Sequence, residues 1–291
     1  MLSSAPDQTL GALQRALAQL FAQANAAAPM LDARVLVCAA AGLSPEQLIM
    51  QENAQVSQRV LNCLQIWAAA RCAGMPVSRL TGRREFYGLN FAIGPAVLDP
   101  RADTEMLVEA VLELIPVRAR VLDLGTGSGC VLISVLSRAL DARGLGIDIS
   151  AGALRLARQN AHLHSVRDRI GVRQGSWFSR VSGRFNIIMS NPPYIARGEI
   201  DHLATEVRAH DPRRALDGGI DGLDAYRHIC HAAPDYLEAD GHLLLEIGCD
   251  QAQPVSALMR SQGFKNLSVD RDLAGQPRVV RGQIKKTKKG V

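Results

Sequence analysis

Apolar residues recur at intervals of three and four positions through the N-terminal part of the chain. Three segments carry this spacing: GALQRALAQLFAQA, LDARVLVCAAAG and VLNCLQIWAAARCAG. The spacing puts the apolar side chains on one face of each helix, and Gly42 and Ser44-Pro45 mark a stop and a start between helices. Residues from about Thr9 to Ala73 are therefore predicted to be helical, and we assign residues 1–80 to a helical domain.

The pattern becomes strand-like between Arg83 and Leu98, where the chain reads RREFYGLNFAIGPAVL. Gly88 falls where a hairpin would turn. We therefore predict that residues 81–100 form a β-hairpin linker between the helical domain and the rest of the chain.

From about Arg101 onward, strand candidates alternate with helical segments. The candidates are Arg120–Leu124, Leu145–Ile149, Ile170–Gln174, Phe185–Ser190, His242–Ile247, Lys265–Asp270 and Arg278–Gln283. Such alternation is typical of a mainly parallel sheet covered on both faces. The residues between the last two candidates, 271–277, are too few for a crossover helix, so these strands are expected to pair as an antiparallel hairpin. The predicted fold class is α/β, with a seven-stranded, mainly parallel sheet over residues 101–284.

Composition narrows the class of protein. The chain has 291 residues, of which 47% are hydrophobic and 21% charged, as in ordinary globular proteins. No apolar run approaches the roughly 20 residues that span a membrane. The alanine-rich start carries Asp7 and has no basic leading segment, so we interpret it as an amphipathic helix rather than an export signal. We expect a cytoplasmic protein without a membrane partner.

Cysteine, histidine and charge patterns suggest no further site. The six cysteines show no CxxC or Cys/His ligand spacing, so neither a disulfide nor a metal is expected. The net charge is +5, but four lysines lie in residues 285–291, which we predict to be a flexible basic tail. Because the remaining body is near neutral, we expect no DNA partner, and we expect a monomer.

A glycine-rich turn follows the first strand of the predicted sheet, in the sequence VLDLGTGSG at residues 121–129. Glycines allow positive φ and let a ligand approach main-chain N–H groups closely. The next strand ends at Asp148, roughly twenty residues further on, where a carboxylate can accept both hydroxyls of a ribose. Dinucleotide-binding enzymes share this pattern, which by itself leaves the cofactor open.

The sequence Asn191-Pro192-Pro193-Tyr194 directly follows the strand candidate Phe185–Ser190. Prolines stiffen the loop and leave their carbonyls free to accept hydrogen bonds. The Asn191 amide oxygen and a proline carbonyl, beside the flat ring of Tyr194, can hold a planar NH2 group by both hydrogens. Together with the G-x-G-x-G spacing, this loop favours S-adenosylmethionine over NAD as the cofactor.

These motifs resemble the peptide chain release factor glutamine methyltransferases, the HemK/PrmC family of class I S-adenosylmethionine enzymes with a Rossmann-like fold. The resemblance runs from about residue 10 to 283. Besides DLGTGSG, GIDIS and SNPPYI, it includes PVSR at 76–79, GRREFYG at 82–88, LDPRADTE at 98–105, RRALDGGIDGL at 213–223 and RDLAG at 271–275. Two positions depart from the family pattern: Ser176 replaces a common Asp, and Ala102 replaces a common Pro.

The resemblance implies methyl transfer to the side-chain amide nitrogen of the glutamine in the Gly-Gly-Gln loop of class I release factors. It implies that the glycine-rich turn wraps the methionine end of S-adenosylmethionine, through Gly125, Thr126, Gly127, Ser128 and Gly129. Asp148 would hold the ribose and Trp177 would pack against the adenine. The substrate glutamine would be held by Asn191, Pro192, Pro193 and Tyr194. Of these, Asn191, Pro192 and Tyr194 are the predicted catalytic residues, and Asn191 would also adjoin the cofactor.

Several alternatives remain at this point. A sister activity, glutamine methylation on a ribosomal protein, uses the same NPPY loop. Exocyclic-amine methylation of a nucleobase also uses it, but should come with a basic target-binding module that residues 1–80 do not resemble. A catalytically silent S-adenosylmethionine-binding scaffold is the third alternative. Asp103 and Glu105 are predicted to cap the helix that follows them rather than to act in chemistry.

Overall fold

The computed structural model describes residues 9–285, which divide into two compact units. Residues 9–82 together with 205–210 form the helical unit, and residues 83–204 with 211–285 form the sheet unit. An antiparallel hairpin is present between Arg83 and Ala92, and these residues group with the sheet unit. Apart from Lys285, the predicted basic tail lies outside the described residues.

The helical unit begins with five helices: α1 (Leu10–Gln23), α2 (Pro29–Ala41), α3 (Pro45–Met50), α4 (Gln58–Cys72) and α5 (Val77–Thr81). Gly42 ends α2 in the left-handed conformation, with φ 69°. Ser44 starts α3 through a capping box with Gln47, as the stop and start signals predict. The unit has its own apolar core, which includes fully buried Leu17 and Phe21.

The sheet unit opens with the hairpin β1 (Arg83–Phe86) and β2 (Leu89–Ala92). Its main strands are β3 (Arg120–Leu124), β4 (Arg143–Asp148), β5 (Ile170–Gln174), β6 (Phe185–Ser190), β7 (Leu237–Glu246), β8 (Phe264–Arg271) and β9 (Pro277–Ile284). The remaining helices are α6 (Glu105–Leu114), α7 (Cys130–Arg138), α8 (Ala151–Leu163), α9 (Thr205–His210), α10 (Asp224–Tyr236) and α11 (Ala252–Ser261), with α9 belonging to the helical unit.

The seven main strands form one sheet in the order β5-β4-β3-β6-β7-β9-β8. The strands from β5 to β7 are parallel, and β9 pairs antiparallel with both β7 and β8. This confirms the predicted α/β class and the antiparallel C-terminal hairpin. It also shows that β9 enters the sheet between β7 and β8.

Both faces of the sheet are buried, because neighbouring residues of each central strand belong to different cores. Val121 and Ile187 pack in the core with α6 and α7, whereas Leu122 and Ile188 pack in the core with α10 and α11. The chain runs outward from β3 through β4 to β5 and then returns to place β6 on the other side of β3. Ligands of open α/β sheets bind at the carboxyl ends of strands at such a switch point.

Among the described residues, no helix combines the length and the apolar character needed to cross a membrane. The same residues contain no group of three or more His, Cys, Asp or Glu side chains able to hold a metal ion.

Candidate active site

The glycine-rich turn after β3 adopts the left-handed backbone that its glycines permit. Gly125, Gly127 and Gly129 have φ values of 74°, 57° and 79°. A Cβ on Gly129 would lie 2.9 Å from Ile133 Cδ1 and 3.3 Å from Ala157 Cβ, so the turn also packs too closely for a side chain there. Ser128 is buried within the turn.

Asp148 links the end of β4 to this turn. Its Oδ2 accepts a hydrogen bond from the Gly127 N–H at 2.9 Å, and its Oδ1 accepts one from the Ser150 N–H at 2.8 Å. The cap of α8 is the Ser150 hydroxyl, which accepts from the Ala153 N–H at 3.2 Å. Asp148 is therefore not the helix cap, and its carboxylate is held in a fixed orientation beside the turn.

A cavity of about 300 Å³ opens at the carboxyl ends of β3, β4 and β6, within the range of small-molecule sites. Of the predicted site residues, those along its lining are Gly125, Thr126, Asp148, Trp177, Asn191 and Pro193. The lining does not include the other predicted site residues: Gly127, Ser128, Gly129, Pro192 and Tyr194. The lining also includes residues that sequence reasoning missed: Ala96, Val97, Leu98, Pro100, Thr104, Asp123, Pro212, Arg214 and Ala215.

Trp177 is half-buried, and its ring packs against the core formed with α10 and α11. Its backbone has φ 48°, an uncommon conformation for a bulky residue, which turns the chain after β5 toward the cavity. The preceding Ser176 also lines the cavity, and its N–H donates to the Ser179 hydroxyl at 3.0 Å. This placement is compatible with both the predicted adenine contact and a partly structural role.

Asn191 stands at the end of β6, in the lining of the cavity. Its Nδ2 donates to Thr104 Oγ1 at 3.2 Å, and hydrogen bonding with Thr104 and Asn191 lowers the pKa of the neighbouring buried carboxyl group of Glu246. The Asn191 Oδ1 atom accepts no hydrogen bond from the described residues. The acceptor predicted from the sequence is therefore available at the cavity wall.

Core packing and a hydrogen bond from Gln251 fix the rest of the NPPY loop. Pro192 is buried, and burial raises the pKa of Tyr194 to about 12 as its ring packs beside α10. The Tyr194 carbonyl accepts a hydrogen bond from Gln251 Nε2 at 2.9 Å. Among the described residues, no backbone N–H donates to the Pro192 carbonyl.

A second segment, residues 213–223, braces this loop. The Ile195 N–H donates to the Leu216 carbonyl at 3.0 Å, and the Gly218 N–H donates to the Ile195 carbonyl at 2.8 Å. A Cβ on Gly218 would lie 2.9 Å from the Pro193 carbonyl oxygen, and one on Gly222 would collide with the Tyr194 carbonyl oxygen. The RRALDGGIDGL motif thus contains glycines because the backbone of the NPPY loop passes against it.

Two buried carboxyl groups at the site were not predicted as site residues. Burial raises the pKa of Asp123 to about 7 despite a 2.6 Å hydrogen bond from the Thr126 hydroxyl. Burial likewise raises the pKa of Glu246 to about 7, against the lowering effect of hydrogen bonds from Thr104 and Asn191. A single acid at the end of an apolar strand, as in HLLLE, is the signal that could have revealed Glu246.

The predicted capping role of Asp103 and Glu105 is wrong. The chain enters α6 through a 3-10 turn at Ala102–Thr104, and no side chain caps that helix. Asp103 instead pairs with Arg278 at 2.8 Å, and Glu105 accepts the Tyr87 N–H at 2.8 Å. Because Arg278 also pairs with Asp272 at 2.7 Å, the RDLAG segment is tied to the PRADTE segment.

Comparison with known proteins agrees with this geometry. Residues 98–220 match the methyltransferase small domain family, and residues 12–82 match the PrmC N-terminal domain. A solved methyltransferase from Pyrococcus furiosus superposes with a TM-score of 0.51 at 15% identity, covering 68% of this chain and 90% of that one. The fold and the cavity thus define a class I methyltransferase.

Curated relatives identify the family more closely. The release factor glutamine methyltransferase of Agrobacterium fabrum is 39% identical over 285 residues, covering 96% of this chain and 99% of the relative. The enzyme of the same name from Rhodospirillum rubrum is 42% identical over 251 residues, covering 86% of this chain and 77% of the relative. The chain belongs to the release factor glutamine methyltransferase family.

Proposed function

We propose that this protein transfers a methyl group from S-adenosylmethionine to the side-chain amide nitrogen of the Gly-Gly-Gln glutamine in class I release factors. The observation that carries the proposal is the placement of Asn191 in the cavity lining, where Nδ2 donates to Thr104 and Oδ1 accepts no hydrogen bond from the described residues. Membership of the release factor glutamine methyltransferase family supports the substrate class.

The residues present fit S-adenosylmethionine. The positive-φ glycines form a cradle that a side chain would fill, and the cavity beside it carries the carboxyl groups of Asp123 and Asp148. Gly125 to Gly129 would hold the methionine end, Asp148 the ribose and Trp177 the adenine. When bound, the cofactor supplies an electrophilic methyl group on a positively charged sulfonium.

The task left to the protein is alignment of the substrate amide. A carboxamide nitrogen is a poor nucleophile because its lone pair is delocalised into the carbonyl. Asn191 Oδ1 and the Pro192 carbonyl would accept the two N–H groups and stabilise the positive charge that develops on nitrogen. Holding reacting groups near attack distance can contribute on the order of 7–11 kcal/mol. No general base is required, since the methylated amide cation is acidic enough to lose its proton to water.

Pro193 and Tyr194 complete the loop in this proposal. Pro193 lines the cavity. The Tyr194 ring instead packs against the core, and the Tyr194 carbonyl accepts a hydrogen bond from Gln251. We therefore assign to Tyr194 the fixing of the loop, and its contact with the flat substrate amide stays a prediction. Both prolines hold the acceptors at a constant separation because their φ angles are restricted.

Substrate recognition is assigned to the helical unit, which we propose as the domain that contacts the release factor. Its described surface exposes several large apolar side chains that a protein partner could cover: Met30, Leu31, Ile49, Met50 and Ile66. We also propose that the protein acts as a monomer. A release factor substrate in turn supports a cytoplasmic location.

The test uses purified protein, methyl-labelled S-adenosylmethionine and a class I release factor, with the Gly-Gly-Gln glutamine either present or replaced by alanine. We expect label on the glutamine-containing factor alone, and mass spectrometry should locate the methyl group on the side-chain nitrogen. Equal labelling of the two factors would contradict the assigned substrate. Label on a ribosomal protein instead would support the sister activity.

A further inference from the structure

Two buried polar side chains, Thr104 and Glu246, adjoin the amide of Asn191. Thr104 and Glu246 are each 3% exposed. We propose that Thr104 and Glu246 are positioning residues that select one of the two orientations of the Asn191 amide, so that Oδ1 rather than Nδ2 faces the substrate. This inference rests on the proposed function and assigns to that site two residues beyond the NPPY loop.

The sheet explains why these distant residues meet. Strands β6 and β7 are parallel neighbours, and Ser190 pairs with Leu245. The next residue on each strand is therefore Asn191 on one side and Glu246 on the other, at the same edge of the sheet. Thr104 reaches them from the turn that precedes α6.

When Glu246 is ionised, the hydrogens that Asn191 and Thr104 can donate allow only one orientation of the Asn191 amide. An amide NH2 group has two hydrogens to donate, a hydroxyl has one, and a carboxylate can only accept. Asn191 Nδ2 donates to Thr104 Oγ1 at 3.2 Å, and hydrogen bonding with Thr104 and Asn191 favours the ionised form of Glu246. The inverted amide would place Oδ1 against the carboxylate oxygens, where no hydrogen is available between them. The count of available hydrogens is therefore the physical basis of the assignment.

Packing alone does not account for Glu246. Its Oε2 atom is buried and has no hydrogen-bond partner among the described residues. A buried carboxyl group with an unsatisfied oxygen destabilises the fold, and an apolar residue of similar size would avoid that penalty. The carboxyl group is therefore better explained by its contact with Asn191 than by stabilisation of the core.

A matched pair of substitutions at Thr104 tests the inference. Thr104→Val removes the hydroxyl with little change of shape, whereas Thr104→Ser keeps the hydroxyl and removes a methyl group. We expect Thr104→Val to lower kcat by about 10-fold to 100-fold, because the acceptor is no longer held in place. Thr104→Ser should recover most of the lost rate. Calorimetry should show a much smaller change in the affinity for S-adenosylmethionine than in kcat for both variants.

A double-mutant cycle separates positioning from general damage to the fold. In an Asn191→Ala background, Thr104→Val and Glu246→Gln should change kcat by less than about twofold, since no amide remains to be oriented. If either substitution lowers kcat by the same factor in both backgrounds, the residue acts through the fold and the inference is contradicted for it. A wild-type rate in Thr104→Val would contradict it as well.

A neutron structure of the deuterium-exchanged wild-type protein tests the inference without any substrate. We expect both deuterons on Asn191 Nδ2 to point toward Thr104 and Glu246. Deuterons pointing into the cavity would overturn the inference even if the enzyme methylates release factors. Conversely, correct deuteron positions in a protein that leaves release factors unmethylated would contradict the proposed function alone.

Discussion

A single oxygen atom, Oδ1 of Asn191, is central to the proposed chemistry. Replacing Asn191 with alanine removes this acceptor while the loop keeps both prolines. We expect kcat to fall by roughly 10²-fold or more, because acceptors aimed at developing charge contribute strongly to such reactions. Calorimetry should show a much smaller change in the affinity for S-adenosylmethionine.

The matched control is Asn90→Ala, which removes an exposed asparagine side chain on β2 for which the structure shows no hydrogen bond. We expect this control to methylate at the wild-type rate. Near-normal turnover by Asn191→Ala would remove the Asn191 acceptor from the mechanism.

Asp123 predicts a pH dependence of cofactor binding. Its pKa is raised from 3.8 to about 7, first by burial and also by the nearby Asp148. An ionised Asp123 attracts a cationic ligand, and its protonated form does not. We therefore expect the affinity for S-adenosylmethionine to rise between pH 6 and pH 8, measured by calorimetry. Asp123→Asn should flatten this dependence, and an unchanged pH profile in that variant would contradict the assignment.

Ionisation of Asp123 as pH rises should lower the stability of the fold, while it raises the affinity for the cofactor. Between the unfolded pKa of 3.8 and the folded pKa of about 7, the folded state binds more protons at Asp123 than the unfolded state does. The free energy of unfolding contributed by this group therefore falls as pH rises through that interval. A gain of cofactor affinity with a loss of intrinsic stability over the same pH range would identify Asp123 as the common cause.

At the level of elements, the segment 213–223 sets the position of the NPPY loop. Gly222 has φ 74°, and a Cβ there would collide with the Tyr194 carbonyl oxygen and lie 2.8 Å from Gln251 Nε2. We expect Gly222→Ala to lower both the melting temperature and kcat, with a stability loss of about 1–3 kcal/mol from strain and overpacking.

Gly88 offers a matched control for backbone strain. It has φ 73°, but a Cβ there would meet no atom within 4 Å. Gly88→Ala should therefore reproduce the strain of the left-handed backbone without moving the NPPY loop, and it should keep kcat near the wild-type value. Equal loss of kcat in the two variants would show that the loop does not depend on the brace.

The elements were largely predictable because apolar runs mark the central strands. The predicted β3, β5 and β6 agree with the structure at both ends. The first half of β7 was missed, since Glu238-Ala239-Asp240-Gly241 resembles a turn and Asp240 has φ 60°. Leu237 pairs with Phe185 of β6 ahead of this stretch, and residues 238–241 lie in an irregularity before the regular pairing resumes at His242. Sequence periodicity does not show that pairing.

The candidate site was predictable only where its residues are consecutive. The glycine-rich turn, Asp148 and the NPPY loop are local patterns with recognisable chemistry. Thr104 and Glu246 are far apart in sequence and meet only through the β6–β7 register and the turn before α6. The role of residues 213–223 as a brace depended in the same way on tertiary contacts.

On the scale of the whole molecule, each unit has its own apolar core, and the helical unit also contains a nearly buried set of ion pairs. In the helical unit, Arg71 is only 8% exposed and pairs with Asp32 at 2.8 Å and with Glu206 of α9 at 2.7 Å. Helix α9, which comes from the middle of the sequence, therefore belongs to the helical unit. The residues that line the cavity belong to the sheet unit, whereas the proposed recognition surface belongs to the helical unit.

A crystal structure with S-adenosylhomocysteine and a Gly-Gly-Gln peptide would examine the proposed amide grip directly. We expect Asn191 Oδ1 to accept a hydrogen bond from the glutamine amide, with that nitrogen facing the cofactor sulfur across the NPPY loop. A complex in which the glutamine binds elsewhere, or in which the Asn191 side chain makes no contact with the substrate amide, would contradict the proposed mechanism.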